Sequence, residues 1–335
     1  MRSTRWCVIA FLATTAAVLP SPAGGSLASA DAEPGSGFAN YLLAANAPTL
    51  SIVEDNDKAT AHPEAEGELP QSVSTLGSTG GSYGLSTAAW PGALAGNLGT
   101  LLIAASGGGV PDQVSVLNYP VRAEAKNNAG TVTNTGYPGL TMTATSRPAS
   151  SSAQAELTGA DAASSLSVHN TRAESSTRLA GPASARASSK ASLQALTIAG
   201  VVKIASIQST ASAVSDGVKA AGAGSTTLQG ATVAGVPVTI DDTGVHAATA
   251  HEVVPGQAQQ TVNTALAQLG MSVNVVGPTT TAKGGMVRYV AASFVFTWLP
   301  PPPSKEADTH ETIVLALGGA FAGAQATPAY VPSPG

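Results

Sequence analysis

The chain has 335 residues, is rich in small side chains and carries a formal net charge of −5 at pH 7. Its 15 basic residues are scattered along the sequence, so nucleic acid is not an expected partner. The single cysteine, Cys7, lies near the start, which leaves the remainder of the chain without a disulfide, a thiolate metal site or a thiol nucleophile. The sequence contains no pattern that indicates a cofactor, and none is expected.

The first 30 residues show the three features of an export signal in the usual order. Arg2 and Arg5 supply the charged start, and residues 6–19 form an apolar stretch that is too short to span a bilayer. An A-x-A motif at 28–30 then offers a cleavage site. We therefore expect secretion with cleavage after Ala30, and no transmembrane segment in the mature chain.

Residues 31–80 predict an N-terminal segment of strand pieces that carries an acidic flexible loop over 54–75. The stretch from Glu54 to Glu68 contains six acidic residues and one lysine. Oxygen ligands cluster in this way in calcium sites, and Asp55 and Asp57 are the candidate metal ligands. The EF-hand pattern is incomplete here, so a solvated acidic loop is the competing interpretation.

Residues 81–320 predict a β-rich domain, which is followed by a proline-rich tail over 321–335. Small side chains and period-two alternation favour a mainly β fold of stacked antiparallel sheets, either a sandwich or a partly solenoidal arrangement. Residues 193–201 return as 228–236, with six of nine positions identical. We interpret the two copies of this repeat as equivalent strands that each lead into a turn at an Ala-Gly pair.

The clearest succession of signals lies in residues 226–298, which predict a β-β-α-β-β unit. An alternating strand that ends at Ile240 is followed by an Asp-Asp-Thr-Gly turn. Residues 257–269 have helical spacing, and Gly270 is placed to end the helix. Residues 271–276 and 286–298 then predict two strands, with a loop over 278–285 between them.

The last of these predicted strands carries three aromatic residues on one face, namely Phe294, Phe296 and Trp298. In a chain with so few aromatic residues, they are the best candidates for large core anchors. If the helix covers a sheet at this place, the same side chains are candidates to line a pocket for an apolar ligand.

Asp242 belongs to the sequence Asp242-Thr243-Gly244, which has the pattern of an aspartic protease. That chemistry requires two carboxylates that share one proton, so a homodimer would have to supply the second. Asp242 and His246 could share a strand face, but two ligands do not make a metal site. The alternative interpretation is a hairpin turn, which the flanking strands favour.

Several short segments resemble secreted actinobacterial proteins of the choice-of-anchor kind. They are the export signal, Ser82-Tyr83-Gly84-Leu85, the Ala/Ser-rich alternating centre, the run from Val233 to Val238, and Leu317-Gly318-Gly319-Ala320. The resemblance implies an exported β-rich surface module of uncharacterised function, and it transfers no catalytic residues. Those proteins continue into a sorting signal that is not seen here, so free secretion or non-covalent retention is expected.

These patterns lead to three hypotheses about function. The first is a non-catalytic exported envelope or surface module, structural or adhesive, whose partner is a component of the cell envelope or another extracellular molecule. The second is an extracytoplasmic carrier of an apolar, lipid-like ligand at Phe294, Phe296 and Trp298. The third is an aspartic-type hydrolase that uses Asp242. The first hypothesis, in which the protein is not an enzyme, is favoured because no convergent polar site is visible in the sequence.

Overall fold

The computed structural model of the chain describes residues 37–58, 63, 65–91, 119–163, 166–181, 183–248, 256–300 and 311–329. The protein is mainly β and consists of two antiparallel sheets, here called sheet A and sheet B, that pack face to face. One helix, α1 (Gln257–Leu269), accompanies them in the described part of the chain. The predicted fold class is confirmed, and Gly270 ends the helix with a left-handed φ of 63°. The predicted export signal lies outside the described residues.

Sheet A is built around a long strand near the start of the described chain. This strand, β1 (Phe38–Asn56), pairs along one edge with β2 (Ala65–Gly77). Its other edge pairs with β18 (Glu311–Gly318) and β19 (Phe321–Pro328). The sheet extends beyond these strands on both sides through β3 (Gly81–Thr87), β4 (Arg122–Lys126), β14 (Met271–Val276), β15 (Thr279–Lys283), β16 (Met286–Val290) and β17 (Ser293–Trp298).

Sheet B is a meander in which the described strands pair in sequence order. Five of them are 14 residues long, which corresponds to about 45 Å of extended chain. The strands are β5 (Gly130–Asn134), β6 (Leu140–Arg147), β7 (Ser150–Ala163), β8 (Leu166–Leu179), β9 (Ala185–Ile198), β10 (Val202–Ser215), β11 (Ala220–Val233), β12 (Val236–Asp241) and β13 (Gly244–Ala247).

Three pairs of consecutive strands in sheet A continue one another as bent strands. The pairs are β14 with β15, β16 with β17, and β18 with β19, and each keeps one pairing register across a short break. Backbone hydrogen bonds bridge neighbouring breaks, from Ala291 N to Ala320 O (2.8 Å) and from Gly319 N to Ala292 O (3.1 Å). The predicted strand over 286–298 therefore exists but is bent, whereas the loop predicted over 278–285 is mostly strand β15.

The two copies of the repeat are equivalent strands, as the sequence predicts. They form the ends of β9 and β11, and each leads into a tight turn. The turn residues have left-handed φ values, which are 51° and 70° at Ala199-Gly200 and 49° and 78° at Ala234-Gly235. Two consecutive residues with positive φ give the primed turn type whose twist matches that of the flanking strands.

A row of irregular backbone crosses sheet B within the repeat. It is marked by positive φ at Ala195 (52°) in β9 and at the equivalent Gly230 (63°) in β11. In β10, which lies between them, Ile204 and Ile207 are both buried in the core although they are three positions apart. The alternation between the two faces shifts by one residue at this row, so strict period-two patterning holds only on either side of it.

Ala195→Gly is expected to stabilise the protein, because an L-residue at a φ of 52° carries steric strain that glycine does not have. We expect urea denaturation to show a rise of about 1 kcal/mol in the free energy of unfolding. The matched control is Ala205→Gly in β10, where φ is not positive and glycine should destabilise by about 0.5–1 kcal/mol. A loss of stability in Ala195→Gly would contradict the proposed strain.

The interior between the sheets has two apolar ends and a centre of small side chains. At one end, Leu50 and Phe296 belong to a large cluster that α1 joins through Val262. The opposite end holds a second cluster around Phe38, and a cluster of three alanines lies between them. Short side chains in the centre allow the two sheets to approach each other closely.

Hydroxyl groups of one sheet donate hydrogen bonds to backbone carbonyls of the other. Ser151 Oγ donates to Thr75 O at 2.9 Å, and Ser86 Oγ donates to Thr143 O at 3.1 Å. Because such bonds are directional and contribute about 1 kcal/mol each, they help to fix one sheet on the other. Further bonds of this kind join Thr49 Oγ1 to Arg172 O (3.4 Å), Ser215 Oγ to Gly285 O (2.7 Å) and Tyr289 OH to Gly224 O (2.9 Å).

The predicted segment boundaries differ from the boundaries of the sheets. The segment 31–80 is not separate, because β1 and β2 are part of sheet A. The acidic flexible loop predicted over 54–75 is mostly strand, since β1 continues through Asn56 and β2 begins at Ala65. The tail predicted over 321–335 begins inside the fold, where β19 pairs with β1 and β16. The buried residues of β19 are mostly alanines, which give too weak a hydrophobic pattern to predict a strand.

The predicted β-β-α-β-β unit over 226–298 is divided between the two sheets. Its first strands, β12 and β13, extend sheet B, whereas β14 to β17 belong to sheet A. Helix α1 connects the two parts and packs against both β13 and β14. Sequence-local signals identified β12, β13, α1 and β14 but not β15, and they contain no information about which sheet each strand joins.

Candidate binding surface

The candidate calcium ligands Asp55 and Asp57 lie at the end of β1. Asp55 is opposite Thr312 in the pairing with β18, and Asp57 begins the turn that follows β1. In the described ranges, no three His, Cys, Asp or Glu side chains come together as a possible metal site. The metal-binding prediction therefore has no ligand set among these residues.

Asp242 occupies the exposed two-residue turn between β12 and β13, so the hairpin interpretation of this motif is confirmed. The contacts in the hairpin are made by Asp241, whose Oδ1 accepts hydrogen bonds from Thr243 Oγ1 (2.6 Å) and Thr243 N (2.8 Å). These bonds, together with His246 Nε2 at 3.3 Å, lower the pKa of Asp241. The structure thus places Asp241, and not Asp242, beside His246.

The aromatic side chains of β17 contribute to the core of the sandwich. Phe296 is fully buried, Phe294 is buried, and Trp298 packs against the same cluster while partly exposed. Leu317 of β18 lies directly opposite Phe294 and is also fully buried. Their role as core anchors agrees with the sequence analysis, and ligand binding at these residues stays a prediction.

The outer face of sheet B presents rows of polar side chains to solvent. We define the hydroxyl face as two neighbouring rows that cross the strands in matching register. The first row is Thr131, Thr145, Ser152, Ser176, Ser188 and Ser212. The second row is Thr133, Thr143, Gln154, Glu174, Lys190, Thr210 and Ser225.

Hydrogen bonds within the rows hold these short side chains in place. Ser176 Oγ lies 2.8 Å from Ser188 Oγ, and Thr131 Oγ1 lies 3.1 Å from Thr145 Oγ1. The resulting surface is concave, with a cavity volume of about 690 Å³. A smaller concavity of about 180 Å³ lies farther along β9, β10 and β11 and is also polar. Such an open trough differs from the enclosed, apolar pockets that bind small molecules.

A row of arginines borders the hydroxyl face. Arg178 in β8 and Arg186 in β9 lie directly opposite each other, and Arg147 lies two strands away, across Ser150. All three arginines are exposed, and Arg186 Nε donates to Ser184 Oγ at 2.9 Å. No carboxylate in the described part of the chain forms an ion pair with any of them. We call Arg147, Arg178 and Arg186 the arginine row.

Arg172 on the same face is, by contrast, neutralised within the protein. Its Nη2 lies 2.6 Å from Glu174 Oε1, and its Nη1 lies 3.7 Å from Glu156 Oε2. The hydrogen bond to Glu174, together with the charges of both carboxylates, raises the pKa of Arg172. Glu174, the acidic residue of the hydroxyl face, is thus already paired, whereas the arginine row has no ion pair among the described residues.

Charge is segregated between the two ends of the sandwich. The end that carries the arginine row, here called the basic end, also carries Lys126, Lys219 and Lys283 in or beside its turns. Asp216 at this end accepts hydrogen bonds from the backbone N–H groups of Lys219 and Val218, which lower its pKa. The opposite end carries Glu54, Asp55, Asp57, Glu66, Asp241, Asp242 and Glu311, together with two lysines, Lys58 and Lys203, so its acidic residues outnumber its lysines.

Glu68 in β2 is an acidic group of a different kind. Its backbone pairs with that of Trp90, with N···O distances of 2.9 and 2.7 Å. Its side-chain Oε2 is buried and has no hydrogen-bond partner. Desolvation, with a smaller contribution from the charge of Glu66, raises the pKa of Glu68 to about 7. This carboxyl is therefore a pH-dependent element of the fold.

Sequence reasoning missed the arginine row because its members are far apart in the chain. Arg178 and Arg186 are separated by a turn, and Arg147 precedes the turn before β7. A signal was nevertheless present, since each arginine lies next to a turn on the same side of the meander. In an up-and-down sheet, alternate turns lie at the same end, so assigning each turn to its end would have predicted that these three arginines are neighbours.

Among the described residues, no helix has the length and apolar character needed to cross a membrane. No protein-family model matches this chain, and no curated protein sequence matches it.

Proposed function

We propose that the protein is a non-catalytic module of the extracytoplasmic envelope or cell surface, structural or adhesive in role. In this proposal, the hydroxyl face is the contact surface, and its partner is an extended polymer of the envelope. The resemblance to exported choice-of-anchor proteins supports the cellular location, as does the export signal expected at residues 1–30.

The observation that carries the proposal is the fixed, concave array of short polar side chains on five long neighbouring strands. Strands in one sheet are about 4.8 Å apart, and residues on one face repeat about every 6.8 Å along a strand. The array therefore offers polar donors and acceptors at regular spacing over a length that exceeds a small ligand. Most of them are hydroxyl groups, and Gln154, Glu174 and Lys190 interrupt the second row. Many weak bonds made in register give an extended polymer useful affinity without any deep pocket.

Binding to the envelope tests this proposal directly. The secreted protein is mixed with the insoluble envelope fraction of the secreting cells, and the bound share is measured after sedimentation. Ser188→Leu combined with Thr210→Leu removes two hydroxyls and fills the trough, so we expect the bound share to fall at least about fivefold.

The matched control is Gln325→Leu, which changes an exposed residue on the outer face of sheet A. This variant should bind the envelope fraction as the unchanged protein does. Thermal melts of both variants check that the fold is intact. Unchanged binding by the double variant would overturn the proposed contact surface. Time-dependent release of soluble fragments from the envelope would overturn the non-catalytic assignment.

A further inference from the structure

The arginine row contains an electrostatic arrangement that the described residues of the chain do not compensate. Arg178 and Arg186 are directly opposite each other on neighbouring strands, about 5 Å apart at the backbone. Like charges in directly opposed positions destabilise a sheet. Six residues earlier in β8, Arg172 is paired with Glu174 and Glu156, so the same strand holds a compensated arginine and an uncompensated one.

An anionic ligand would provide the missing compensation. A guanidinium group offers a planar fork of donors that matches a carboxylate or phosphate, and such charge-assisted pairs are stronger than neutral hydrogen bonds. Arg147 lies two strands from Arg178, about 10 Å away at the backbone. Cations at successive distances of about 5 and 10 Å suit a chain with repeated anionic groups better than one small ion.

The neighbouring hydroxyl face indicates what else that chain should carry. Ser176 and Ser188 are two positions from Arg178 and Arg186 on the same face, so the first row of the hydroxyl face adjoins the arginine row. The described strands of sheet B contain no Phe, Tyr or Trp, and His169 in β8 is nine residues from Arg178, so the arginine row has no neighbouring aromatic platform on which unpaired bases could stack. Hydroxyl partners beside cations match a sugar chain with acidic substituents.

We propose that the arginine row and the adjoining first row of the hydroxyl face form a site for an acidic glycan. The arginines bind its anionic groups, and the serines and threonines of the hydroxyl face bind its hydroxyl groups. This assignment rests on the proposed function, to which it adds the chemical class of the polymer. Lys219 and the other lysines of the basic end add a positive field that attracts such a chain.

The test compares binding of the secreted protein to polygalacturonate, which carries carboxylates, with binding to neutral dextran. At about 150 mM salt, where the Debye length is about 8 Å, we expect polygalacturonate to bind at least about tenfold more tightly. Arg178→Ser with Arg186→Ser should weaken polygalacturonate binding at least about tenfold. Because this change removes a repulsion, the double variant should be at least as stable as the unchanged protein.

Two further double variants distinguish binding at this site from a general effect of net charge. Lys58→Ser with Lys203→Ser removes the same charge elsewhere and should leave polygalacturonate binding within about twofold. Arg178→Lys with Arg186→Lys keeps the charge but removes the guanidinium fork, so intermediate affinity is expected. Equal binding of dextran and polygalacturonate, or unchanged affinity of the Arg178→Ser/Arg186→Ser variant, would overturn the inference.

Equal or tighter binding of duplex DNA or of anionic lipid vesicles would also overturn the assignment to a glycan. The Arg178→Ser/Arg186→Ser variant is tested on the envelope fraction as well. If it binds the envelope normally while Ser188→Leu/Thr210→Leu does not, the proposed function stands and the acidic-glycan inference fails. If neither variant changes envelope binding, the proposed contact surface itself is wrong.

Discussion

Glu68→Gln is expected to stabilise the protein at alkaline pH and to change its stability little in acid. The carboxyl has an ordinary pKa of 4.5 in the unfolded chain, and burial raises the pKa to about 7 in the folded protein. Stability contributed by the protonated group is complete below the unfolded pKa and is lost as the pH rises toward the folded pKa. The loss amounts to about 3 kcal/mol, which glutamine avoids because it has no proton to release.

Urea denaturation at about pH 4 and about pH 8 measures this difference. We expect the free energies of unfolding of Glu68→Gln and of the unchanged protein to agree within about 1 kcal/mol at the lower pH. At the higher pH, that of Glu68→Gln should be greater by about 3 kcal/mol. Glu66→Gln serves as the comparison, since the charge of Glu66 is the smaller cause of the raised pKa and its removal should give a smaller gain. Parallel pH profiles for Glu68→Gln and the unchanged protein would show that Glu68 is not desolvated.

Gly84→Ala is expected to be among the most destabilising single changes in the sandwich. A Cβ atom at this position would lie 2.7 Å from Ser152 O and 3.0 Å from Thr145 O, both in the facing sheet. Backbone oxygens at this distance cannot rotate away, so the sheets would have to separate locally. That movement would also strain the contact between Ser82 Oγ and Ser146 Oγ, which are 2.6 Å apart.

We expect Gly84→Ala to lower the free energy of unfolding by about 3 kcal/mol, as overpacking of a filled core does. Gly80 in the same hairpin is the matched control, because a Cβ there would meet no atom within 4 Å. Gly80→Ala should lower the free energy of unfolding by no more than about 0.5 kcal/mol. A tolerant Gly84→Ala variant would mean that the sheets are not packed as tightly as described.

Local elements were predictable because their signals lie within a few residues. The helix over 257–269 follows from the spacing of Val262, Leu266 and Leu269 and from Gly270 after it. The turns at the two Ala-Gly pairs follow from the repeat, and the hairpin at Asp242 follows from its turn residues. These features need no knowledge of which strand pairs with which.

Register is the information that the sequence pattern lacks, and most of the unpredicted features depend on it. The arginine row exists only because β8 and β9 place Arg178 opposite Arg186. The bend in the strand that contains Phe294 depends on an aligned break in its neighbour, β18 with β19. Alanine and serine fit either face of a sheet, so a pattern of small residues does not favour one register over another.

The small-residue centre of the sandwich has a consequence for how stability depends on temperature. Unfolding this region exposes methyl groups of alanine together with hydroxyl and peptide groups. Hydration of the methyl groups raises the heat capacity, whereas hydration of the polar groups lowers it. The heat-capacity change per residue is therefore smaller than in a sandwich filled with leucine and phenylalanine. A smaller change flattens the curve of stability against temperature, so the fold keeps a similar free energy of unfolding over a wide range of temperatures.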